Sequence, residues 1–143
     1  MSDPRHLIVV DAANVIGSRP NGWWKDRAGA ARRLLADLAN LTTRLPETTA
    51  VTVVLEGAAK AAADGAEPSA PRLKVVLADR SGDDKIVDVV AEPDSHEKIT
   101  VVTADRELRT RVEAHGAETV GPGWLWNQIE ASPASGEDRT ESG

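Results

Sequence analysis

The sequence predicts an α/β fold in which a mainly parallel central sheet of four or five strands carries helices on both faces. Three observations support this prediction. Short, fully apolar, β-branched runs recur along the chain, apolar stripes at helical spacing lie between them, and acids follow most of the runs. Apolar runs this short are typical of strands buried on both faces, as in a parallel sheet. Strands that alternate with helices predict a doubly wound, three-layer sandwich.

Four segments have the apolar, β-branched character of a buried strand. They are residues 7–10, 51–55, 73–77 and 99–102, and a weaker fifth strand is predicted over 118–120. Apolar residues spaced by three and four predict a helix over 26–44. Further helices are predicted over 83–92, 105–115 and 124–131, with Pro93 and Gly116 as stop signals.

The remaining segments are predicted to be irregular. Residues 58–71 are rich in alanine and then in proline, which predicts a loop that can include one helical turn. Residues 132–143 contain no large apolar side chain, which is typical of a disordered tail. A chain of 143 residues has room for one ordinary domain. We therefore predict one domain over 1–131, followed by a disordered tail over 132–143.

Composition excludes several classes of protein. No apolar run reaches the roughly 18 residues that a membrane span needs, and the polar start does not resemble a signal peptide. We therefore expect a soluble, cytoplasmic protein without a membrane partner. The absence of cysteine excludes disulfides, thiolate metal sites and cysteine catalysis. The net charge of -6 argues against a protein that coats nucleic acid, although a local basic face can still flank an acidic pocket.

Acidic side chains follow the predicted strands at one end. Asp11, Glu56 and Asp105 come after the first, second and fourth strands. Asp83 and Asp84 open the helix that leads to the fourth strand. The carboxyl ends of parallel strands share one edge, where ligands bind in open α/β sheets. If the first and fourth strands are neighbours, Asp11, Asp83 and Asp105 meet at the crevice between them.

Such a group of acids indicates a particular chemistry. Crowded carboxylates repel one another unless a cation offsets their charge. Oxygen ligands without histidine or cysteine select hard ions such as Mg²⁺ or Mn²⁺. A bound ion of this kind can activate water and stabilise the leaving oxygen of a phosphodiester. The sequence therefore indicates phosphoryl transfer, most simply hydrolysis, although each acid alone could be a helix cap or turn former.

Four motifs resemble the motif blocks of PIN-like nuclease domains, in particular the NYN branch with its YacP-like members. They are VVDAANVIG (9–17), VVLEG (53–57), SGDDKIV (81–87) and VTADREL (102–108), in the family's order and with fitting spacing. The resemblance covers roughly residues 7–126. It implies a PIN-like sandwich and a metal-dependent ribonuclease that uses Mg²⁺ or Mn²⁺ to hydrolyse RNA.

The resemblance also implies roles for individual residues. Asp11, Asp83 and Asp105 match the family's metal-binding acids, and Asn14 matches the asparagine that orients the site; these four are the candidate catalytic residues. Glu107 matches the second acid of the last block. The wider set of candidate metal ligands is Asp11, Glu56, Asp83, Asp84, Asp105 and Glu107. Asp84 could equally belong to a solvated helix face.

Two positions depart from the family pattern. Glu56 stands where YacP-like members usually carry aspartate, which changes the reach of the carboxylate by one methylene. The first block is Asp-Ala-Ala-Asn, whereas relatives commonly have Asp-Gly-Tyr-Asn. The missing glycine and aromatic residue leave open the shape of the loop after Asp11 and any base stacking there.

A basic segment follows the first acidic motif. Between Arg19 and Arg44 six basic residues stand against two acids, a local charge of +4. This segment could track a phosphate backbone, or it could be a helix with a basic exposed face. Trp23 and Trp24 could stack on bases, worth roughly 1–3 kcal/mol for each base, or fold back over the core. The candidate substrate-binding residues are Arg19, Trp23, Trp24, Lys25, Arg27 and Thr103.

The second tryptophan pair lies near the end of the predicted domain. Trp124 and Trp126 are two residues apart, so they cannot share a helix face. We expect one to pack beneath the sheet, and the other is a candidate for a homodimer contact.

Three functions remain open from the sequence. The first is a Mg²⁺- or Mn²⁺-dependent endoribonuclease with RNA as its partner. The second is a phosphatase or nucleotide hydrolase that uses the same acids. A haloacid-dehalogenase type would need aspartate at Ala13, and a P-loop is absent. The third is a non-catalytic PIN-like module that binds RNA or protein, which the altered first block and the acidic balance would suit.

Overall fold

The central sheet has five strands and is parallel throughout the part of the chain that the structure describes. The computed structural model describes residues 5–19, 26–62, 70, 72–92 and 98–131. The strands are β1 (His6–Asp11), β2 (Thr49–Leu55), β3 (Leu73–Leu77), β4 (Lys98–Val102) and β5 (Glu118–Val120). Their order is β3-β2-β1-β4-β5. The predicted α/β class with a parallel sheet is confirmed.

The described residues also form five α-helices and one 3₁₀-helix, and the last of these helices follows the final strand. They are α1 (Ala12–Gly17), α2 (Arg27–Thr42), the 3₁₀-helix Gly57–Ala62, α3 (Gly82–Ala91), α4 (Arg106–Glu113) and α5 (Pro122–Glu130). Side chains of Asp11, Asp26, Ser81 and Asp105 cap the first turns of α1 to α4 by accepting backbone N–H bonds. Two of these caps, Asp11 and Asp105, are also candidate site residues.

The sequence predicts a loop after Asp11, whereas the structure places α1 there. Ala12, Val15 and Ile16 are buried on one side of this short helix. Their spacing of three and four residues, directly after a capping aspartate, is a helix signal. The signal spans fewer than two turns, so periodicity alone is weak at this length.

Alternate residues of β1 face two separate cores. Ile8 and Val10 pack with residues of α1, α2 and α5 on one face of the sheet. Leu7 and Val9 pack with residues of α3 and α4 on the other face. Residues 7–11 of β1 are buried on both faces of the sheet. This explains the continuous apolar sequence, which is typical of a central parallel strand. The predicted helices on both faces are confirmed.

The strand order reverses between β1 and β4. The chain runs outward from β1 to β2 and β3, then crosses to place β4 on the opposite side of β1. In register, Val10 pairs with Val53 of β2 and with Val102 of β4. A reversal of this kind opens a crevice at the carboxyl ends of the two strands. The structure thus confirms that the first and fourth strands are neighbours.

Arg44 fixes the C-terminal end of α5. Its guanidinium donates to the carbonyl oxygens of Gln128 at 3.2 Å, Ile129 at 3.2 Å and Ala131 at 3.0 Å. These carbonyls belong to the negative end of a helix, where a cation is favourable. One arginine of the basic segment is therefore used to hold α5 rather than to track a phosphate backbone.

We expect Arg44→Gln to lower the free energy of unfolding by about 1–2 kcal/mol, because several charge-assisted hydrogen bonds are lost. Urea unfolding followed by circular dichroism measures the change. Arg80→Gln, at an exposed position before α3, is the matched control and should leave stability within about 0.5 kcal/mol. Equal stability of the two variants would contradict the role of Arg44.

Two sequence predictions concern segments only partly described. Within the predicted loop 58–71, residues 57–62 form the 3₁₀-helix, and most of the remainder lies outside the described residues. The predicted tail 132–143 also lies outside them. No helix in the described part of the chain has the length and apolar character needed to cross a membrane.

Candidate active site

Asp11 occupies the join between β1 and α1. Its Oδ1 accepts a hydrogen bond from the backbone N–H of Asn14 at 3.3 Å, which caps α1. Its Oδ2 accepts a hydrogen bond from the hydroxyl of Thr103 at 3.0 Å. The residue is only 6% exposed. The carboxylate is therefore buried in the crevice and oriented through both oxygens.

Thr103 links the acid of β1 to the acid that follows β4. Its Oγ1 donates to Asp11 and also accepts the backbone N–H of Asp105 at 3.1 Å. Its carbonyl oxygen accepts a bond from Nε of Arg109 at 2.9 Å. Thr103 is completely buried. The hydroxyl therefore both donates and accepts a hydrogen bond within the protein. Thr103 positions Asp11 and Asp105, which corrects its assignment as a substrate-binding residue.

A second hydrogen bond ties the same two joins together. The backbone N–H of Ala104 donates to Oδ1 of Asn14 at 2.8 Å. Because a backbone N–H is the donor, the Asn14 atom that accepts must be its oxygen. Its amide NH₂ group has no protein partner among the described residues. Asn14 thus braces the crevice and keeps two N–H donors at its half-buried surface.

Asp105 begins α4 on the far side of the crevice. Its Oδ1 accepts the backbone N–H of Leu108 at 3.1 Å, which caps the helix. Unlike Asp11, Asp105 is only half-buried. It therefore combines the structural role of a cap with a partly open carboxylate, so the two interpretations drawn from the sequence are compatible.

Glu56 connects the end of β2 to the start of α3. Its Oε1 accepts a short hydrogen bond from the backbone N–H of Gly82. A Cβ at position 82 would overlap that oxygen, so glycine is needed for this approach. The next residue along α3 is Asp83. The longer side chain of glutamate thus anchors the turn that presents Asp83 to the crevice.

The acids interact electrostatically across this edge. Burial raises the pKa of Asp11 to about 6, and the charges of Asp83 and Glu56 add to that rise. Hydrogen bonds from Thr103 and Asn14 oppose it. The pKa of Asp83 is also raised, first by burial and then by the charges of Asp105 and Glu56. Repulsion of this kind marks a site that favours a cation.

Four acids therefore share one edge, but they differ in placement. Asp11 is buried, whereas Glu56, Asp83 and Asp105 are half-buried. Within the described residues, no three histidine, aspartate or glutamate side chains stand close enough together to hold a metal ion. The acids therefore concentrate negative charge at the crevice, but the described side chains do not form a complete set of metal ligands.

Comparison with known proteins assigns the chain to a family. Residues 8–142 match the model of the YacP-like NYN domain. The chain belongs to the YacP-like NYN domain family. This confirms the family that the four motif blocks resemble, and it places the chain among nuclease-type domains. No curated protein matches the sequence.

A solved structure supports the fold of this NYN domain. The chain is similar to the crystal structure of Rae1 (YacP) from Bacillus subtilis, a point mutant, with a TM-score of 0.68. The identity is 18%, and the match covers 87% of this chain and 74% of that one. At this identity the likeness establishes the fold, and it confirms the PIN-like architecture.

The remaining acidic candidates of the NYN domain, Asp84 and Glu107, are exposed. Asp84 forms an exposed ion pair with Arg111 at 3.0 Å, which links α3 to α4. This contact gives Asp84 a structural role on the surface. Glu107 is exposed in the first turn of α4, where an acid is favourable to the helix dipole.

Besides Thr103, two of the candidate substrate-binding residues are described, and they lie in different places. Arg19 forms an ion pair with Glu130 at 2.5 Å and lies over the ring of Trp126, 4.2 Å from its centroid. Its guanidinium is thus engaged with α5. Arg27 lines a cavity beside Glu56. The other three candidates, Trp23, Trp24 and Lys25, lie outside the described residues.

Both tryptophans of α5 pack on the domain itself. Trp124 and Trp126 are half-buried against the core formed with α1 and α2. The indole N–H of Trp126 donates to Oγ of Ser18 at 3.0 Å. We expected only one of the two tryptophans to pack on the core, but both do so. The homodimer remains a prediction.

The contact between Glu56 and Gly82 leads to a stability prediction. We expect Gly82→Ala to be less stable than a glycine-to-alanine change elsewhere in a helix by about 1 kcal/mol, because the added Cβ displaces the end of the Glu56 side chain and removes its partly buried hydrogen bond. Urea unfolding measures this change. Gly123→Ala, in α5, is a matched control because its added Cβ meets no atom. A Gly82→Ala variant as stable as that control would refute the contact.

Proposed function

We propose that this NYN domain is an endoribonuclease that hydrolyses RNA phosphodiester bonds with Mg²⁺ or Mn²⁺ held at the crevice between β1 and β4. One observation carries the proposal. Asp11 is buried at the switch point beside Asp83 and Glu56, and the described residues form no salt bridge with any of the three. A carboxylate kept in this position is costly for the fold unless its charge serves a ligand.

The donors at the crevice suit a hard divalent ion. Asp11, Asp83 and Asp105 offer only carboxylate oxygens, the ligand type that Mg²⁺ and Mn²⁺ prefer. Binding would offset the burial and the mutual repulsion that together raise the pKa of Asp11 and Asp83. Glu56 contributes negative charge while it fixes the start of α3. When bound, the ion supplies an activated water and offsets the charge of the phosphate.

The protein itself supplies position and donors. Thr103 and the N–H of Asn14 each donate to one oxygen of Asp11 and so fix the orientation of its carboxylate. The free amide N–H groups of Asn14 can donate to a phosphate oxygen beside the acids. Preorganised donors of this kind stabilise developing negative charge without reorganisation during the reaction. Arg27 adds a positive charge at the Glu56 side.

The test separates the three functions left open by the sequence. Purified protein is incubated with a labelled linear RNA, a circular RNA and p-nitrophenyl phosphate, each with Mn²⁺ or with EDTA. We expect both RNAs to be cut only with the ion, since opening a circle requires internal cleavage. Asp105→Asn should abolish this cleavage, and Asp88→Asn, an exposed acid of α3, should retain it.

Other outcomes would overturn the proposal in specific ways. Turnover of the monoester without RNA cleavage would identify a phosphatase. RNA binding without any cleavage would identify a non-catalytic module. Cleavage that persists in EDTA or in Asp105→Asn would show that the acids at this crevice are not the active site.

A further inference from the structure

A small cavity opens beside the acidic crevice, on the side of Glu56. It has a volume of about 150 Å³ and lies between α1, the start of α2 and the 3₁₀-helix. Its lining among the described residues consists of Ala13, Ile16, Arg27, Glu56, Gly57 and Ala59. An apolar cavity of that volume can hold one benzene molecule. The space thus matches a single six-membered ring.

The chemistry of the walls also matches a flat heteroaromatic ring. Ile16 and Ala59 are buried apolar side chains, and Ala13 is half-buried. They present methyl groups suited to the faces of a ring. Glu56 stands at the same cavity and offers an acceptor for its polar edge. Apolar walls with a few polar groups are typical of small-ligand sites.

We propose that this cavity binds a pyrimidine base of single-stranded RNA, next to the phosphodiester that is cleaved. The proposal rests on the ribonuclease function proposed above and names its base specificity. A purine has a second fused ring and exceeds the space that one six-membered ring fills. Glu56 Oε1 is taken by Gly82, which leaves Oε2 to accept an N–H from the base. A carboxylate accepts the exocyclic amino group of cytosine in this manner.

The cavity is continuous with the reaction site. Glu56 lines the cavity and also acts electrostatically on Asp11 and Asp83. Gly57, the residue after Glu56, also lines the cavity. Ala13 also lines a second cavity of about 370 Å³ together with Asn14 and Ala104. A base in the first cavity therefore lies next to the acids through Glu56, and the second cavity offers space for the neighbouring part of the strand.

The first test measures binding without metal or catalysis. Alanine methyl signals of the full chain are followed by NMR in EDTA while cytidine, uridine, adenosine or guanosine is added. We expect cytidine and uridine to shift the signals of Ala13 and Ala59 and to leave Ala36, on the exposed face of α2, unchanged. An absent shift at Ala59, or an equal or larger shift with the purine nucleosides, would overturn the proposal.

The second test measures specificity in the cleavage reaction. With Mn²⁺, we expect kcat/KM for oligocytidylate to exceed that for oligoadenylate at least tenfold. Ala13→Leu fills the cavity and should reduce this ratio toward one, whereas the matched control Ala36→Leu should retain it. An unchanged ratio in Ala13→Leu would overturn the base site. Loss of all RNA cleavage in the wild type, with the NMR shifts intact, would instead overturn the proposed nuclease function alone.

Discussion

Asp11→Asn is expected to abolish RNA cleavage and, in the absence of metal, to make the protein more stable at neutral pH. The two effects have one cause. Burial and the neighbouring acids raise the pKa of Asp11 from 3.8 to about 6. The folded state therefore holds this proton more tightly than the unfolded state does. The stability gained from protonation is complete below pH 4 and is lost as the pH rises through 6.

A shift of this size corresponds to a cost of about 3 kcal/mol at pH 7.5, where Asp11 is ionised. Asparagine removes the charge and remains a good helix cap, but it keeps only one acceptor oxygen. We therefore expect a net gain of about 1–2 kcal/mol at pH 7.5 and little change at pH 4.5. Urea unfolding at both pH values in EDTA measures it, with Asp88→Asn as control.

The activity change should be much larger than the stability change. Residues that merely support metal ligands typically cost 10–100-fold when replaced, so a carboxylate that binds the ion directly should cost more than about a hundredfold. Added Mn²⁺ should raise the melting temperature of the wild type but not that of Asp11→Asn. Retained cleavage, or a variant less stable than the wild type at pH 7.5, would contradict this account of Asp11.

Thr103→Val is expected to damage both the fold and the site, although valine has nearly the same shape. The variant leaves Oδ2 of Asp11 without its donor and the N–H of Asp105 without its acceptor. Each unsatisfied buried group costs about 1–3 kcal/mol, so we expect a loss of about 2–4 kcal/mol in total. Loss of the Thr103 bond should also raise the pKa of Asp11 further.

Kinetics distinguish a positioning role from a purely structural one. Thr103→Val should lower kcat/KM for RNA by about 10–100-fold and raise the Mn²⁺ concentration needed for half-maximal activity. Thr103→Ser keeps the hydroxyl, so it should recover most of the activity and the metal response. If Thr103→Ser were as inactive as Thr103→Val, the missing methyl group rather than the hydrogen bond would be responsible.

The strand pattern made the sheet predictable. Each buried strand is a short apolar run ended by a polar residue, and parallel pairing brings those ends to one edge. Asp11 and Asp105 could therefore be placed together before any coordinates. The same pattern placed Glu56, and the family resemblance added Asn14. The strand pattern and the motif blocks can both be recognised because they consist of particular residue types at fixed positions along the chain.

The contacts inside the crevice could not be predicted in the same manner. The link from Thr103 to Asp11 spans 92 positions in the chain and depends on the depth of one hydroxyl. The contacts of Arg19 and Arg44 with α5 could not be predicted either. A count of charges does not distinguish an arginine that binds phosphate from one that binds a helix of its own domain. Sequence patterns specify which elements form, whereas side-chain partners follow from how those elements pack.

The dispersal of the acids along the chain has a consequence during translation. Asp11 and Glu56 are synthesised early. The strand β4 (Lys98–Val102), which pairs with β1, and Asp105 directly after it are synthesised much later. Until β4 has emerged and docked, the nascent polypeptide lacks both Thr103 and half of its crevice. The crevice therefore cannot assemble from Asp11 and Glu56 alone, and its formation waits for the second half of the chain.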